Sequence, residues 1–117
     1  AFPDRRAVAV SGDGGFPMAM NGLITACEED IPITNVIFNN RAFGWVRSGQ
    51  GDKPIASEFS DVSYAGMAES MGCRGIQVEK PGELDKALRD TEESDIPVVI
   101  EVGTSRKFNF RDVSARF

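Results

Sequence analysis

Apolar residues fall into two spacings along this chain. Four short runs, at 7–10, 33–38, 76–78 and 98–102, are rich in β-branched or small apolar residues and predict strands, the first two buried on both faces. Between them, apolar positions recur at helical spacing. Met18, Met20, Leu23, Ile24 and Cys27 predict a helix over 17–29, with Pro17 at its first position, where a missing N–H costs nothing. Gly22 interrupts it at about 1 kcal/mol relative to alanine. Tyr64, Ala65, Ala68 and Met71 predict a second helix, capped by Ser60 or Asp61 and stopped at Gly72. Pro81 opens a third, with Leu84, Ala87 and Leu88 inward and Asp85, Lys86, Arg89 and Asp90 outward, and Pro97 introduces the last strand. Residues 41–59 show no periodicity and predict a long connection.

This alternation predicts an α/β fold, a parallel sheet flanked by helices on both faces. A right-handed crossover puts the carboxyl ends of the first two strands on one edge. Ser11-Gly12-Asp13-Gly14-Gly15 and Asn39-Asn40 therefore share a rim, where open α/β sheets bind ligands. The helix start after Gly15 would offer N–H groups and a positive dipole end to an anion, with phosphate the natural guest. Asp13 is discordant there, because a carboxylate repels phosphate unless a cation lies between them. Mg²⁺ resolves this: it takes hard oxygens, and Asp13, the Asn40 amide and a backbone carbonyl of the following loop can supply them.

Gly12-Asp13-Gly14, followed 26 and 27 positions after Asp13 by Asn39 and Asn40, resembles the GDG…NN motif of thiamine-diphosphate-dependent enzymes. Phe16-Pro17-Met18, Leu23-Ile24-Thr25-Ala26, Ile31-Pro32, Arg41-Ala42-Phe43-Gly44 and Gln50 are similar to the cofactor-binding domain of the acetolactate synthase and benzoylformate decarboxylase group, and the similarity runs weakly on to about residue 102. The resemblance implies the thiamine diphosphate-binding fold, incomplete at its N-terminus, with thiamine diphosphate and Mg²⁺ as cofactors. It implies Asp13, the Asn40 side chain and the Ala42 carbonyl as metal ligands. Gly12, Gly14 and Gly15 would form the cofactor turn, the backbone of the latter two meeting the diphosphate, while Gly44 and Trp45 would lie against the cofactor.

By the same resemblance the chain serves a 2-oxo acid decarboxylase or carboligase, with a small 2-oxo acid as substrate. Its partners would be the remaining domains of that enzyme and a second subunit, in a homodimer or homotetramer. None of its residues would break bonds, and the chain alone would be inactive and prone to associate. The segment after Asn40 would close over the cofactor. Acetolactate synthases carry a tryptophan before the position of Gln50, and Gly49 in its place points away from strict acetolactate synthase activity.

Two other readings stand beside this one. The chain could be a non-catalytic cofactor-binding or assembly fragment. A dinucleotide site shares the opening Gly12-x-Gly14, but Pro17 replaces its third glycine and Asn39 stands where a ribose-binding acid belongs.

Composition narrows the rest. The 117 residues, 41 % hydrophobic, suffice for one globular domain. A net charge of −5 argues against a nucleic-acid surface, and no apolar run approaches the roughly 20 residues that cross a bilayer. The chain has no histidine, which removes imidazole bases. Cys27 and Cys73 read as free buried thiols of a cytoplasmic protein. The domain is expected over 1–102. A tail at 103–117, with Arg106, Lys107, Arg111 and Arg116 among Phe108, Phe110 and Phe117, is expected to pack on another domain or subunit.

Overall fold

The computed structural model describes residues 5–107 of the chain. Four parallel strands, β1 (Val8–Gly12), β2 (Thr34–Asn39), β3 (Arg74–Val78) and β4 (Val98–Gly103), form one sheet in the order β1-β2-β4-β3. The helices are α1 (Gly22–Glu28), α2 (Gly44–Gly49), α3 (Tyr64–Ser70) and α4 (Pro81–Glu92). The chain moves one way across the sheet from β1 to β2 to β3, then turns back to place β4 between them. Because each crossover is right-handed, the reversal puts its helix on the opposite face. Leu23 of α1 and Tyr64 and Ala68 of α3 accordingly pack with Ile37 and Val99 on one side. Ala87 of α4 packs with Val36, Val98 and Ile100 on the other. The expected α/β sandwich is the observed one.

Several local expectations change. The first strand is not buried on both faces: among the described residues β1 pairs only with β2, α4 packs over β3 and β4, and Val8 and Val10 are 55 % and 65 % exposed. An apolar run does not reveal whether its strand is central or marginal. The helix expected over 17–29 is broken into a 3₁₀ turn at Phe16–Met18 and α1. Gly22 becomes the first residue of α1, so its interior penalty does not arise, and Met18 and Ile24 face outward. The cap of α3 is Ser63, whose hydroxyl accepts the Gly66 N–H at 3.1 Å, not Ser60 or Asp61. Asp61 instead pairs with Arg41 at 3.1 Å.

The 41–59 segment is ordered by contacts that periodicity does not reveal. It contains α2, and Ala42 bridges Glu58 antiparallel. Gln50 fastens the following loop by donating to the Ile55 carbonyl and accepting from the Ile55 N–H and the Ser57 hydroxyl. Glu58 holds Arg47 of α2 at 2.8 Å and Arg106 at 3.3 Å. The Arg47 hydrogen bond keeps the Glu58 carboxyl below its usual range against a smaller opposing effect of burial. The expected tail starts inside β4, which runs to Gly103. Its Phe108, Phe110, Arg111, Arg116 and Phe117 lie outside the described residues. Among the described residues, no helix is long and apolar enough to cross a membrane.

The two cysteines, distant in sequence, meet between α1 and the start of β3 with sulfurs 3.4 Å apart. Burial first, then the Cys27 contact, pushes the Cys73 thiol up to about 12 from 9.0.

Two outcomes follow from this packing. Ile37 is fully buried, so Ile37→Ala should cost about 2–5 kcal/mol, whereas Val10→Ala should stay within about 0.5 kcal/mol by urea unfolding. Equal losses would mean that β1 is covered in solution. The folded chain holds the Cys73 proton more tightly than the unfolded chain, so this thiol's contribution is intact below about pH 9 and is lost as pH rises toward about 12. Unfolding midpoints at about pH 8 and about pH 10 should therefore differ more for the parent than for Cys73→Ala. Equal slopes would refute the assignment to this thiol.

Candidate functional site

Parallel pairing sets the site. Gly12 lies opposite Phe38 at the ends of β1 and β2, and the Asp13 N–H extends that ladder by one bond to the Phe38 carbonyl at 3.2 Å. Asp13 and Asn40 thus leave adjacent strands side by side. Asp13 is only 3 % exposed. Its Oδ1 accepts the Gly14 N–H at 3.0 Å and its Oδ2 accepts the Ala42 N–H at 3.1 Å. Asn40 Oδ1 accepts the same Ala42 N–H at 3.0 Å. A carboxylate oxygen and an amide oxygen therefore converge on one nitrogen.

Two glycines make room for the side chains around the pair. A Cβ on Gly14 would lie 2.5 Å from two ring carbons of Phe43, and one on Gly44 would lie 2.7 Å from Asn40 Nδ2. The neighbouring cavity of about 380 Å³ is lined by Gly12, Asp13, Gly14, Gly15, Asn40, Ala42, Gly44 and Trp45, together with Phe38, Phe43, Val46 and Thr104. The geometry thus brings together all eight residues singled out from the sequence. It departs from expectation in the turn: the Gly14 N–H is held by Asp13, and the Gly15 N–H bonds the Gly12 carbonyl at 3.1 Å. The helix expected to start after Gly15 is a three-residue 3₁₀ turn, too short to present a helix end to an anion.

A second cluster backs the first. Glu101, in β4, is buried; its Oε1 accepts from Asn39 Nδ2 at 2.6 Å and its Oε2 from the Ala65 N–H at 3.0 Å. Asn39 Oδ1 accepts the Arg41 N–H at 3.0 Å. Arg41 has φ +59°, a left-handed conformation that costs a non-glycine residue about 1–2 kcal/mol and that this side-chain bond supports. Tyr64 lies nearby, edge-on to Phe16 at 5.8 Å. Burial, then the charges of Asp13 and Glu101, raises its phenol above the usual range and keeps it protonated.

Sequence reasoning missed Glu101 and the part played by α3, whose helix reads as pure scaffold. The available signal was a charge inside Val98-Val99-Ile100-Glu101-Val102, since a buried carboxylate requires partners. Phe43 was missed as the ring that makes Gly14 necessary. Among the described residues, no three His, Cys, Asp or Glu side chains gather into a metal cluster, so any metal here would depend on Asp13 together with neutral oxygens.

These features define a parallel α/β domain with a glycine-walled cavity beyond the carboxyl ends of its strands. Residues 1–102 match the family model for the thiamine pyrophosphate enzyme, C-terminal TPP binding domain, and the chain belongs to that family. It is 44 % identical over 103 residues to the putative thiamine pyrophosphate-containing protein YdaP of Bacillus subtilis (strain 168), covering 86 % of this chain and 18 % of that protein. Against the acetolactate synthase of the same organism it is 34 % identical over 103 residues, covering 86 % and 18 %. The Rhodococcus jostii RHA1 thiamine diphosphate-dependent 4-hydroxybenzoylformate decarboxylase superposes with a TM-score of 0.82 at 26 % identity, covering 88 % of this chain and 20 % of that one. The chain spans about a fifth of the length of these relatives. The glycine turn is thus that of a thiamine pyrophosphate family, and the dinucleotide alternative loses its ground.

Gly14→Ala should cost about 1–3 kcal/mol by forcing the Phe43 ring away from its edge contact with Phe59. In a double-mutant cycle with Phe43→Ala, read by urea unfolding, most of that cost should vanish. Additive losses would rule out the ring as the obstacle.

Proposed function

We propose that this cavity binds the diphosphate end of thiamine diphosphate through Mg²⁺, as part of a 2-oxo acid decarboxylase or carboligase. The observation that carries the reading is the convergence of Asp13 Oδ2 and Asn40 Oδ1 on one N–H at the strand rim. A carboxylate and an amide are the hard donors that such a cation takes alongside phosphate oxygens and water. The residues present fit the group in a second respect, since Gly12 and Gly15 put no side chain into the cavity: a Cβ on Gly12 would meet no atom within 4 Å, and one on Gly15 only the Gly12 carbonyl at 3.7 Å. In this reading the Ala42 carbonyl is the third protein ligand. Gly12, Gly15 and Trp45 help to wall the cofactor. The reading leans on the oxygen donors, because the Gly14 and Gly15 N–H groups are engaged within the turn.

When bound, thiamine diphosphate supplies the electron sink for breaking a bond beside a 2-oxo group. The residues of this chain bind, neutralise and orient its diphosphate, and none is assigned a bond-breaking role. The remaining domains of the same enzyme and a second subunit complete the site for a small 2-oxo acid. We place the protein in the cytoplasm, where an adjacent pair of thiols stays reduced.

Calorimetric titration of thiamine diphosphate, with and without Mg²⁺, tests this on the protein that carries the chain. Asp13→Ala should abolish Mg²⁺-dependent binding while leaving the fold intact. Asn40→Ala should weaken it less, because water can replace a neutral ligand. An Asp13→Ala protein that binds as tightly as the parent would refute the metal assignment.

A further inference from the structure

Glu101 has no place among the proposed ligands, yet it is a carboxylate set into a strand whose preceding three residues are fully buried. Its register opposite Ile37 of β2 and Gln77 of β3 fixes it within the sheet. It shares the Val99 side of β4, which turns it toward the start of α3. Such a charge persists only if both oxygens are bonded, and both are, to Asn39 Nδ2 and to the Ala65 N–H.

The bond to Asn39 carries directional information. An ionised carboxylate only accepts, so it selects the orientation of the Asn39 amide that presents nitrogen to Glu101 and oxygen forward along the chain. That oxygen receives the Arg41 N–H and thereby supports the left-handed turn at Arg41. The turn in turn delivers the Ala42 N–H to Asp13 Oδ2 and Asn40 Oδ1. With the opposite amide orientation, Asn39 would present a donor to the Arg41 donor and the turn would lose its support. A polar cavity of about 570 Å³, lined by Asn39, Asn40, Glu101 and Arg41 among others, shares Asn40 and Thr104 with the ligand cavity, so the two clusters adjoin at Asn40.

We propose that Glu101 is a positioning residue which, through Asn39, sets the 39–42 turn and so aims the Asp13 and Asn40 oxygens at the cation. This rests on the ligand reading above for its purpose, though the turn itself can be tested without any ligand.

The test uses Glu101→Gln, Asn39→Asp and the double variant. Glu101→Gln sets an amide donor against either Ala65 or Asn39, and Asn39→Asp sets one carboxylate against another. The double variant restores every bond with one polarity reversed: the new amide nitrogen at 101 donates to the new carboxylate at 39, whose other oxygen still accepts the Arg41 N–H. Mg²⁺-dependent binding of thiamine diphosphate, read by calorimetry, should fall about 10- to 100-fold in each single variant and largely recover in the double. Amide exchange at Arg41 and Ala42, measured without ligand, should accelerate in the single variants and slow again in the double. Single variants that remain folded with parental affinity and exchange would overturn the proposal. So would a double variant no better than the worse single, which would mark Glu101 as a packing element only. A parent protein that binds thiamine diphosphate indifferently to Mg²⁺ would instead overturn the ligand reading, and the exchange rates would then decide the turn by themselves.

Discussion

A single backbone donor, the Ala42 N–H, joins the ends of two strands. Asp13 arrives from β1 and Asn40 from β2, and both side-chain oxygens settle on it. An ionised carboxylate has about four acceptor positions, and the bonds that Asp13 receives from Gly14 and Ala42 leave capacity over. Asp13 brings that remaining capacity to the wall of the cavity. The rest of the rim is fitted to this junction: Gly14, which admits the ring of Phe43, Gly44, which admits the Asn40 side chain, and the left-handed residue that precedes Ala42.

Asp13 and Glu101 show how environment separates two residues of like chemistry. Both are buried acids near one phenol, and both act on Tyr64 in the same sense. Glu101 has one oxygen taken by a side-chain amide and the other by a helix-start N–H, and it lines the polar cavity beside Asn39. Asp13 lines the neighbouring cavity, with its two oxygens accepting the Gly14 and Ala42 N–H groups. Both carboxylates stand near the carboxyl end of the sheet and act on the same phenol, but each is held by its own partners.

Much of this was legible because it depends on chain order. Strand, glycine turn, crossover and strand oblige Asp13 and Asn40 to emerge on one edge, whatever the surrounding helices do. The broken helix at Ala19 to Asn21 was not legible, since a 3₁₀ turn followed by a helix preserves the same apolar spacing. Strand order was hidden for a similar reason: Val8 and Val10 have the composition of a central strand, yet among the described residues no strand pairs on the other side of β1 and α4 lies over β3 and β4. The link from Glu101 to Asn39 spans 62 positions, and the meeting of Cys27 with Cys73 spans 46. Pairings of that kind follow from the folded sheet and have no local signature.

The marginal place of β1 has a dynamic consequence. Asp13 follows a strand that, among the described residues, pairs with one neighbour and exposes Val8, Ala9 and Val10, features of a segment with a low cost of local opening. Asn40 is carried by β2, paired on both sides. The two halves of the oxygen pair therefore fluctuate unequally: one is anchored in the rigid centre, and the other rides on an element able to fray. Contacts made along the outer edge of β1 would therefore bear on how long the pair stays assembled, without touching the site.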